Sequence, residues 1–552
     1  MQKTAVAHAR HKDTNPASPI LPAMRVLAAV NGRIHTLDPA NPSVEALLAV
    51  DGTIALTGTT GEVREAAARH NAGEMLDLEG KCAFPGFTDS HIHFVSYGLN
   101  LERVELTGAA SMEIVRERVH AAARAAGPGE WVLGWGWDHS LWPLARFPNA
   151  AALDGVTGET PVALRRKDGH MTWLNGVALR VAGITQDTPD PPGGRIGRDG
   201  SGAPDGLLFE NAQQLVQRVI PEVTAAQAER AARRAQEELH RFGVTGIHVP
   251  ESPFAFAALQ ALDAAGHLAL RTTMMLTYDG LDAALETGLQ SGFGGAFLRA
   301  GPVKIFGDGS LGSETAAMLA TFEGSRDNTG ILTVPKDDIE RAVGRAARGG
   351  LACAIHAIGD RANRVVLDAF EATRNVWQPL GLRQRIEHVQ VLHPDDLPRL
   401  SQLGVIASMQ PIHATQDMDL VDRLWGARGR YAYAFRTLQE SGAVLAFGSD
   451  APVETPDPLA GLYAAVTRRR PDGRPTSGWY PEERLTALDT IRAYTKGAAY
   501  AAGLERLSGS LTPGRWADFV VLSNDPLSEP PESILTTRVT HTVVNGRIVY
   551  SN

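Results

Sequence analysis

Between Ala83 and Ala502 the chain alternates short apolar runs with longer stretches whose apolar residues recur every three or four positions. The first pattern suits strands buried on both faces, and the second suits helices with one buried stripe. Their alternation predicts βα units around a parallel sheet. Eight runs read as strands: Ala83–Thr88, Val244–Val249, Leu270–Leu276, Val303–Phe306, Leu351–Ile355, Arg385–Glu387, Val405–Met409 and Val444–Phe447. Helical periodicity is plainest in Asp337–Arg348, Arg361–Arg374 and Leu485–Ala502. Eight such units predict an α/β chain closed as a (β/α)8 TIM barrel over residues 83–504, in preference to an open doubly wound sheet.

Two regions depart from that rhythm. Roughly 150 residues separate the first strand from the second, where an ordinary βα loop has a few. Residues 94–240 carry their own helical patterns, Met112–Ala126 and Ala225–Arg241, and strand-like pieces, Trp131–Trp135 and Val162–Arg165. They predict an inserted lid subdomain, placed over the catalytic face because it leaves from the carboxyl end of the first strand. The chain ends alternate with period two, over 25–59 around Asn31-Gly32 and over 515–550 around Asn545-Gly546. Asn-Gly accepts the positive φ of a two-residue hairpin, so both ends read as hairpins. Residues 25–82 and 505–552 are each thin alone and predict one small composite β-sandwich domain. Residues 1–24 are polar, contain proline and lack the apolar stretch of a signal peptide, which reads as a disordered leader.

Composition narrows the function classes. The chain is 43% hydrophobic and 21% charged, which is ordinary for a globular protein. Fifty-three Lys and Arg face 62 Asp and Glu, a formal charge of −9. With no basic cluster beyond Arg468–Arg470, a nucleic-acid partner is not expected. No run of about 18 apolar residues occurs, so no membrane partner is expected either. The two cysteines, Cys82 and Cys353, lie in apolar runs and are too few for a disulfide framework. They read as buried reduced thiols of a cytoplasmic protein.

Five phrases at the carboxyl ends of strand runs carry candidate chemistry. The first is Phe84-Pro85-Gly86-Phe87-Thr88-Asp89-Ser90-His91-Ile92-His93. Residues i and i+2 of a strand share a face, so His91 and His93 can grip one ion together. The others centre on Lys304 in Val303-Lys304-Ile305-Phe306, His356 in Ala354-Ile355-His356, His388 in Arg385-Ile386-Glu387-His388, and Asp450 in Gly448-Ser449-Asp450. Each alone has an ordinary structural explanation: a strand-end histidine in the core, an edge lysine, a capping aspartate. Their joint order at strands 1, 4, 5, 6 and 8 changes the reading, because barrel strands point their ends at one mouth. Histidines with one carboxylate form a ligand set suited to zinc.

These motifs resemble the amidohydrolase superfamily, and the likeness runs from about Arg25 to Tyr550. Pro85 to His93 is similar to that superfamily's first-strand metal motif, and Gly509 to Leu522 to its return into the terminal sandwich. The nearest group is the YtcJ-like branch, which includes N-substituted formamide deformylases. Gly134-Trp135-Gly136-Trp137-Asp138, Asp168-Gly169-His170-Met171-Thr172-Trp173-Leu174-Asn175, Val303 to Ser313 and His356 to Asn363 carry that closer resemblance. It implies one or two Zn2+ ions per chain, with Mn2+ or Co2+ as substitutes. His91, His93 and Asp450 would hold the more buried ion, and His356 and His388 the more exposed one. Lys304 stands where related enzymes carry a carboxylated lysine bridging two ions; a plain ammonium contacting substrate in a one-metal site is the alternative. The implied mechanism is attack of a metal-activated hydroxide on a carbonyl, with Asp450 as general base and then acid.

Secondary candidates lie in the insertion and after strand 7. His170 is expected as a catalytic or oxyanion contact, and Trp137, Trp173, Asn175 and His413 as substrate contacts. Glu210 either lines the pocket or caps a helix, while His139 and His248 read as structural. Five of the nine tryptophans, at 131, 135, 137, 142 and 173, fall in the insertion. Either they fill its core or they form aromatic walls selecting a small-molecule substrate with a bulky apolar or aromatic group. The favoured activity is hydrolysis of a C–N bond in an amide, N-substituted formamide or carbamate. Ring deamination and ester or lactone hydrolysis on the same scaffold are the alternatives. A non-enzymatic binding module is disfavoured by the intact ligand set. Among protein partners the reading leaves room only for a homodimer.

Overall fold

Eight parallel strands pair in chain order in the computed structural model, which describes residues 24–70, 73–127 and 129–552. Apart from Met24, the leader expected over 1–24 lies outside the described residues. The strands are β1 (Phe87–Asp89), β2 (Val244–Val249), β3 (Arg271–Thr277), β4 (Leu298–Phe306), β5 (Cys353–Ala357), β6 (Arg385–His388), β7 (Ile406–Met409) and β8 (Leu445–Phe447). The Ser90 amide donates to Phe447 O at 3.0 Å, which carries β8 back to β1 and nearly closes the sheet into a barrel. Every residue of β2, β5, β6 and β7 is buried, as expected of strands with helices outside and packed side chains inside.

The first strand differs from the apolar run that predicts it. Ala83–Thr88 splits between two sheets: Cys82–Pro85 pairs antiparallel with Phe519–Leu522, and only Phe87–Asp89 enters the barrel beside Val244–Val249. Pro85 has no N–H to continue a ladder, so the chain changes partners there.

Both chain ends build two sheets over a common apolar core. One has four strands, in the order Thr53–Gly58, Ala46–Val50, Val26–Val30, Glu74–Asp77. The other has six and interleaves C-terminal strands with Cys82–Pro85, Arg33–His35 and Ser43–Val44. Leu27, Leu47 and Leu76 from the first pack with Phe519, Val521 and Val543 from the second. Asn545-Gly546 is the expected hairpin, with φ of 53° and 64°, between Val539–Val544 and Arg547–Ser551. Asn31-Gly32 is not one: Val26–Val30 and Arg33–His35 lie in different sheets, so the dipeptide turns a corner. A Cβ on Gly32 would stand 2.3 Å from Leu78, so close approach accounts for the glycine. The N-terminal hairpin forms at Asp51-Gly52 instead, at φ of 48° and 82°.

The insertion owns a six-stranded mixed sheet, running Gly194–Arg198, Pro204–Glu210, Met171–Leu174, Val162–Arg166, Val132–Trp137, Val104–Glu105. Helix Ala225–Arg241 belongs elsewhere than its assignment within 94–240 suggests. Its buried stripe, including Ala228, Ala232, Ala235 and Leu239, packs into the barrel's core with helix Phe94–Asn100. It is the barrel's own helix before β2. The periodic stretch Leu485–Ala502 is interrupted at Ala493–Gly497 by a π turn, whose Tyr494 packs against Phe87 and Phe447. Among the described residues, no helix is long and apolar enough to cross a membrane, and Cys82 and Cys353 are both free and buried.

Candidate metal centre

The carboxyl ends of the barrel strands open into a cavity of about 470 Å3. His91, His93, Lys304, His356, His388, His413 and Asp450 all line it. Two groups of ligand atoms lie within 4.8 Å of one another there, His91–His93–Asp450 and His388–His413–Asp450. His91 and His93 Nε2 stand 3.6 and 3.4 Å from Asp450 Oδ1. Two ligands held by one tetrahedral zinc ion would be roughly 3.3 Å apart, given metal–ligand distances of about 2.0–2.2 Å. The donor set fits a divalent cation.

Local sequence explains why these side chains converge. The Asp89 carboxylate accepts from the amides of His91 at 3.1 Å and Ser449 at 3.0 Å and from the Ser449 hydroxyl, which ties the ends of β1 and β8 together. A Cβ on Gly448 would stand 2.5 Å from His91 N, so only glycine permits that approach. Beyond it, Asp450 sits at φ +60° with its amide donating to His91 O. His388 and Val389 are also left-handed, at +77° and +46°. Strand alternation turns Arg385 and Glu387 into the barrel, and the break at His388 brings its ring over the mouth, 4.9 Å from His91 and 4.6 Å from His356. Such conformations cost a non-glycine residue on the order of 1–3 kcal/mol and collect at functional sites.

Hydrogen bonds set the ring nitrogens. His91 Nδ1 donates to Glu387 Oε2 at 2.6 Å and His388 Nδ1 to Gln410 Oε1 at 2.9 Å, leaving each Nε2 as a lone pair toward the cavity. His356 Nε2 donates to Gly309 O at 3.0 Å, 3.4 Å from Asp308 Oδ1. It lies beside His388 but outside both ligand groups. Burial pushes the His91 imidazole down to about 4 and holds His356 and His388 well below the ordinary histidine range. These rings are neutral, as metal ligands must be. Burial alone would raise the Asp450 carboxyl, but its hydrogen bond with His93 leads the interactions that hold it well below the usual carboxylate range. The Lys304 Nζ is buried, has no hydrogen-bond partner among the described residues, and is lowered to about 8 by burial.

Several residues acting here carry no assignment from sequence reasoning. Glu387, the partner of His91, is clamped by Arg385, which also reaches Ser90 O, Ser408 and His248. Two opposite charges two residues apart on a wholly buried barrel strand are the signal, since buried charges occur in pairs. Asp308 accepts from the amides of Ala317, Ile358 and Gly359 and so fixes the loop beyond β5. From the insertion, Arg166 bridges Asp138 at 2.8 Å and Asp168 at 2.7 Å along the cavity wall. Lys167 pairs with Glu454 at 2.7 Å.

The secondary candidates divide. His170 lines the cavity 6.2 Å from the His356 ring, its Nδ1 bonded to Glu210 at 2.8 Å. Burial would lower it, but Glu210 and Asp168 raise it. Glu210 also accepts from Thr315, so it supports the pocket and does not cap a helix. Trp137, Trp173 and Asn175 do not touch the cavity, which corrects their expected role. Trp137 and Trp173 are fully buried, cluster with Trp142, and donate to Leu164 O and Asn149 O. Asn175 is fully buried, accepts from Val162 N and Ala178 N, and caps helix Gly176–Val181. An inserted sheet needs its own core, and these residues fill it. The apolar part of the cavity wall comes instead from Leu141, Phe306, Leu311, Ile358 and Leu420.

Comparison with known proteins agrees with this geometry. Residues 74–550 match the model of the Amidohydrolase family. The chain is similar to Protein LONG AFTER FAR-RED 3 of Arabidopsis thaliana, at 34% identity over 95% of this chain and 91% of that protein. It is 30% identical to N-substituted formamide deformylase of Arthrobacter pascens, over 96% of this chain and 98% of that one. A solved structure described as an uncharacterized metal-dependent hydrolase from Pyrococcus horikoshii OT3 superposes with a TM-score of 0.75 at 30% identity. That likeness covers 92% of this chain and 99% of the other.

Proposed function

The chain belongs to the amidohydrolase family of metal-dependent hydrolases, and from that premise we propose that it cleaves a non-peptide C–N bond in a small amide, N-substituted formamide or carbamate. The observation that carries the reading is the placement of Asp450 between two groups of histidines at the barrel mouth. Full-length similarity to a formamide deformylase supports the C–N bond over an ester or a ring amine.

His91, His93 and Asp450 would hold the first divalent ion, with zinc favoured by an all-imidazole and carboxylate set and Mn2+ or Co2+ as substitutes. When bound, such an ion supplies Lewis acidity, polarising a carbonyl oxygen and acidifying water. Asp450, kept ionised with the help of its hydrogen bond with His93, takes the proton of the attacking water and returns it to the leaving nitrogen. That return matters because an amide anion is too basic to leave unprotonated. His170, raised by Glu210, donates a hydrogen bond to the oxygen on which charge develops.

Lys304 is read as a carboxylated lysine. A buried amine with no hydrogen-bond partner among the described residues and a lowered pKa is available as a nucleophile toward CO2, and the carbamate is an anion suited to a cationic site. Phe306 and the neighbouring leucines suit a bulky apolar or aromatic substituent. Buried free thiols at Cys82 and Cys353 support a reducing, cytoplasmic location. A panel of N-benzylformamide, acetanilide, an aryl carbamate and a lactone, each scored by product, tests the activity. Turnover of the nitrogen compounds is expected, and turnover of the lactone alone would overturn the C–N assignment.

A further inference from the structure

We propose that Arg423, at the outer end of the cavity, binds a carboxylate carried by the substrate at the end away from the scissile bond. The inference rests on the C–N hydrolase reading above and narrows its substrate to an amide with an apolar body and an anionic tail.

Helices Pro411–Gln416 and Met418–Leu424 follow each other with scarcely a break, since Asp417 N donates to His413 O and Val421 N to Asp417 O, both at 2.8 Å. His413, Gln416, Leu420 and Arg423 are spaced by three or four residues, share one helical face and all line the cavity. At a rise of about 1.5 Å per residue, that face runs roughly 15 Å from His413 to Arg423. Its side chains change character along the way. His413 is buried 3.9 Å from Asp450 Oδ2, at the metal centre. Leu420 is half-buried and lines the cavity together with Leu141 of the insertion, and Arg423 is exposed.

The other cations of the outer wall are already committed. Arg166 is shared by Asp138 and Asp168, Lys167 pairs with Glu454 at 2.7 Å, and Arg470 pairs with Asp419 at 2.8 Å. The acids nearest Arg423 on its own helix are engaged as well. Asp419 is held by Arg470, and Asp422 accepts from Trp479 Nε1 at 3.0 Å. One turn back, Asp417 accepts from the Tyr433 hydroxyl at 2.6 Å. Arg423 makes no hydrogen bond or ion pair among the described residues, so its charge is left for a group the substrate brings. An exposed guanidinium stays hydrated until an anion displaces the water, and its planar fork meets a carboxylate through two parallel N–H···O bonds. Reading outward, the cavity offers a metal centre, then leucines, then a cation.

N-benzylformamide substituted at the para position with a carboxylate, or with the uncharged and similarly shaped carboxamide, tests the proposal. Each group is attached directly and through a two-carbon spacer. Wild type is expected to favour the better-fitting carboxylate over its carboxamide by roughly ten-fold or more in kcat/KM, chiefly through KM, as a charge-assisted hydrogen-bonded pair gives. High salt should shrink that preference, because the position is open to solvent. Arg423→Met keeps the apolar stem and should bring the two values together, and Arg423→Glu should invert them. A thermal melt checks that each variant folds, and the methionine variant decides if the glutamate variant fails. Calorimetric binding of the same compounds to Asp450→Asn protein, with and without Arg423→Met, gives a readout that needs no turnover. A carboxylate preference in binding that depends on Arg423, with none of the formamides hydrolysed by wild type, would overturn the C–N reading and keep the anion site. Equal binding of carboxylate and carboxamide, binding of neither, or a preference that survives Arg423→Met would overturn the proposal whether or not the formamides are hydrolysed.

Discussion

The barrel mouth and the inserted sheet both attract attention in the sequence, one for its histidines and the other for its tryptophans, and the structure treats them oppositely. His91 and His93 follow β1, His356 and His388 belong to β5 and β6, and Asp450 follows β8, yet these distant stretches of chain meet in one cavity. Trp137 and Trp173 pack on each other and on Trp142, and Asn175 bonds Val162, Ala178 and Thr157, all within the insertion. Topology accounts for the contrast. A closed parallel sheet aims all its carboxyl ends at one point, so any polar residue there faces the mouth. A separate sheet laid beside it has its own two faces to fill before any side chain is spare for a ligand. The insertion reaches the cavity through the ends of its strands and its loops, by way of Asp138, Arg166, Asp168 and His170.

Substitutions can break or sharpen that contrast. Asp450→Asn should keep the fold and lose about 10^2–10^4-fold in turnover, because an amide can coordinate but cannot carry the proton. Steady-state kinetics on the best substrate of the panel checks it, and a tenth or more of wild-type activity would remove Asp450 as the base. Trp137→Ala should act almost wholly on stability, lowering it by about 3–5 kcal/mol, as expected for emptying a buried tryptophan site. KM measured at a temperature where the variant is folded should stay within a few-fold. A selective rise in KM for aromatic substrates would restore the lid tryptophans to the binding site. Glu387→Gln should lose roughly 10–100-fold in metal affinity or activity, since it keeps the shape but weakens the anchor of His91. Metal affinity equal to wild type would show that Arg385 and the strand suffice to orient the ring.

Much of this was legible in the chain, and the parts that were not have physical reasons. The barrel follows from apolar periodicity, and the ligands from their positions at strand ends. Period-two and period-3.6 patterns cannot say which of two neighbouring cores a segment joins. Ala225–Arg241 therefore reads equally well as lid or barrel helix, and Ala83–Thr88 as one strand when it is parts of two. Asn31-Gly32 carries a hairpin signal that Leu78, distant in the chain, overrides. Tryptophans beside a presumed mouth look like walls until the insertion's own sheet is seen to need a core. Glu387 is hidden for the opposite reason: its role depends on His91, almost three hundred residues away, through a bond of 2.6 Å.

The claim at the centre of this account is that the barrel-mouth histidines and Asp450 hold the ion on which hydrolysis depends. Metal content of the purified protein, measured together with activity before and after chelation, tests it most directly. One to two zinc-like ions per chain, activity abolished by the chelator, and recovery on adding Zn2+, Mn2+ or Co2+ are the predicted results. Full activity in protein shown to be free of metal would contradict it.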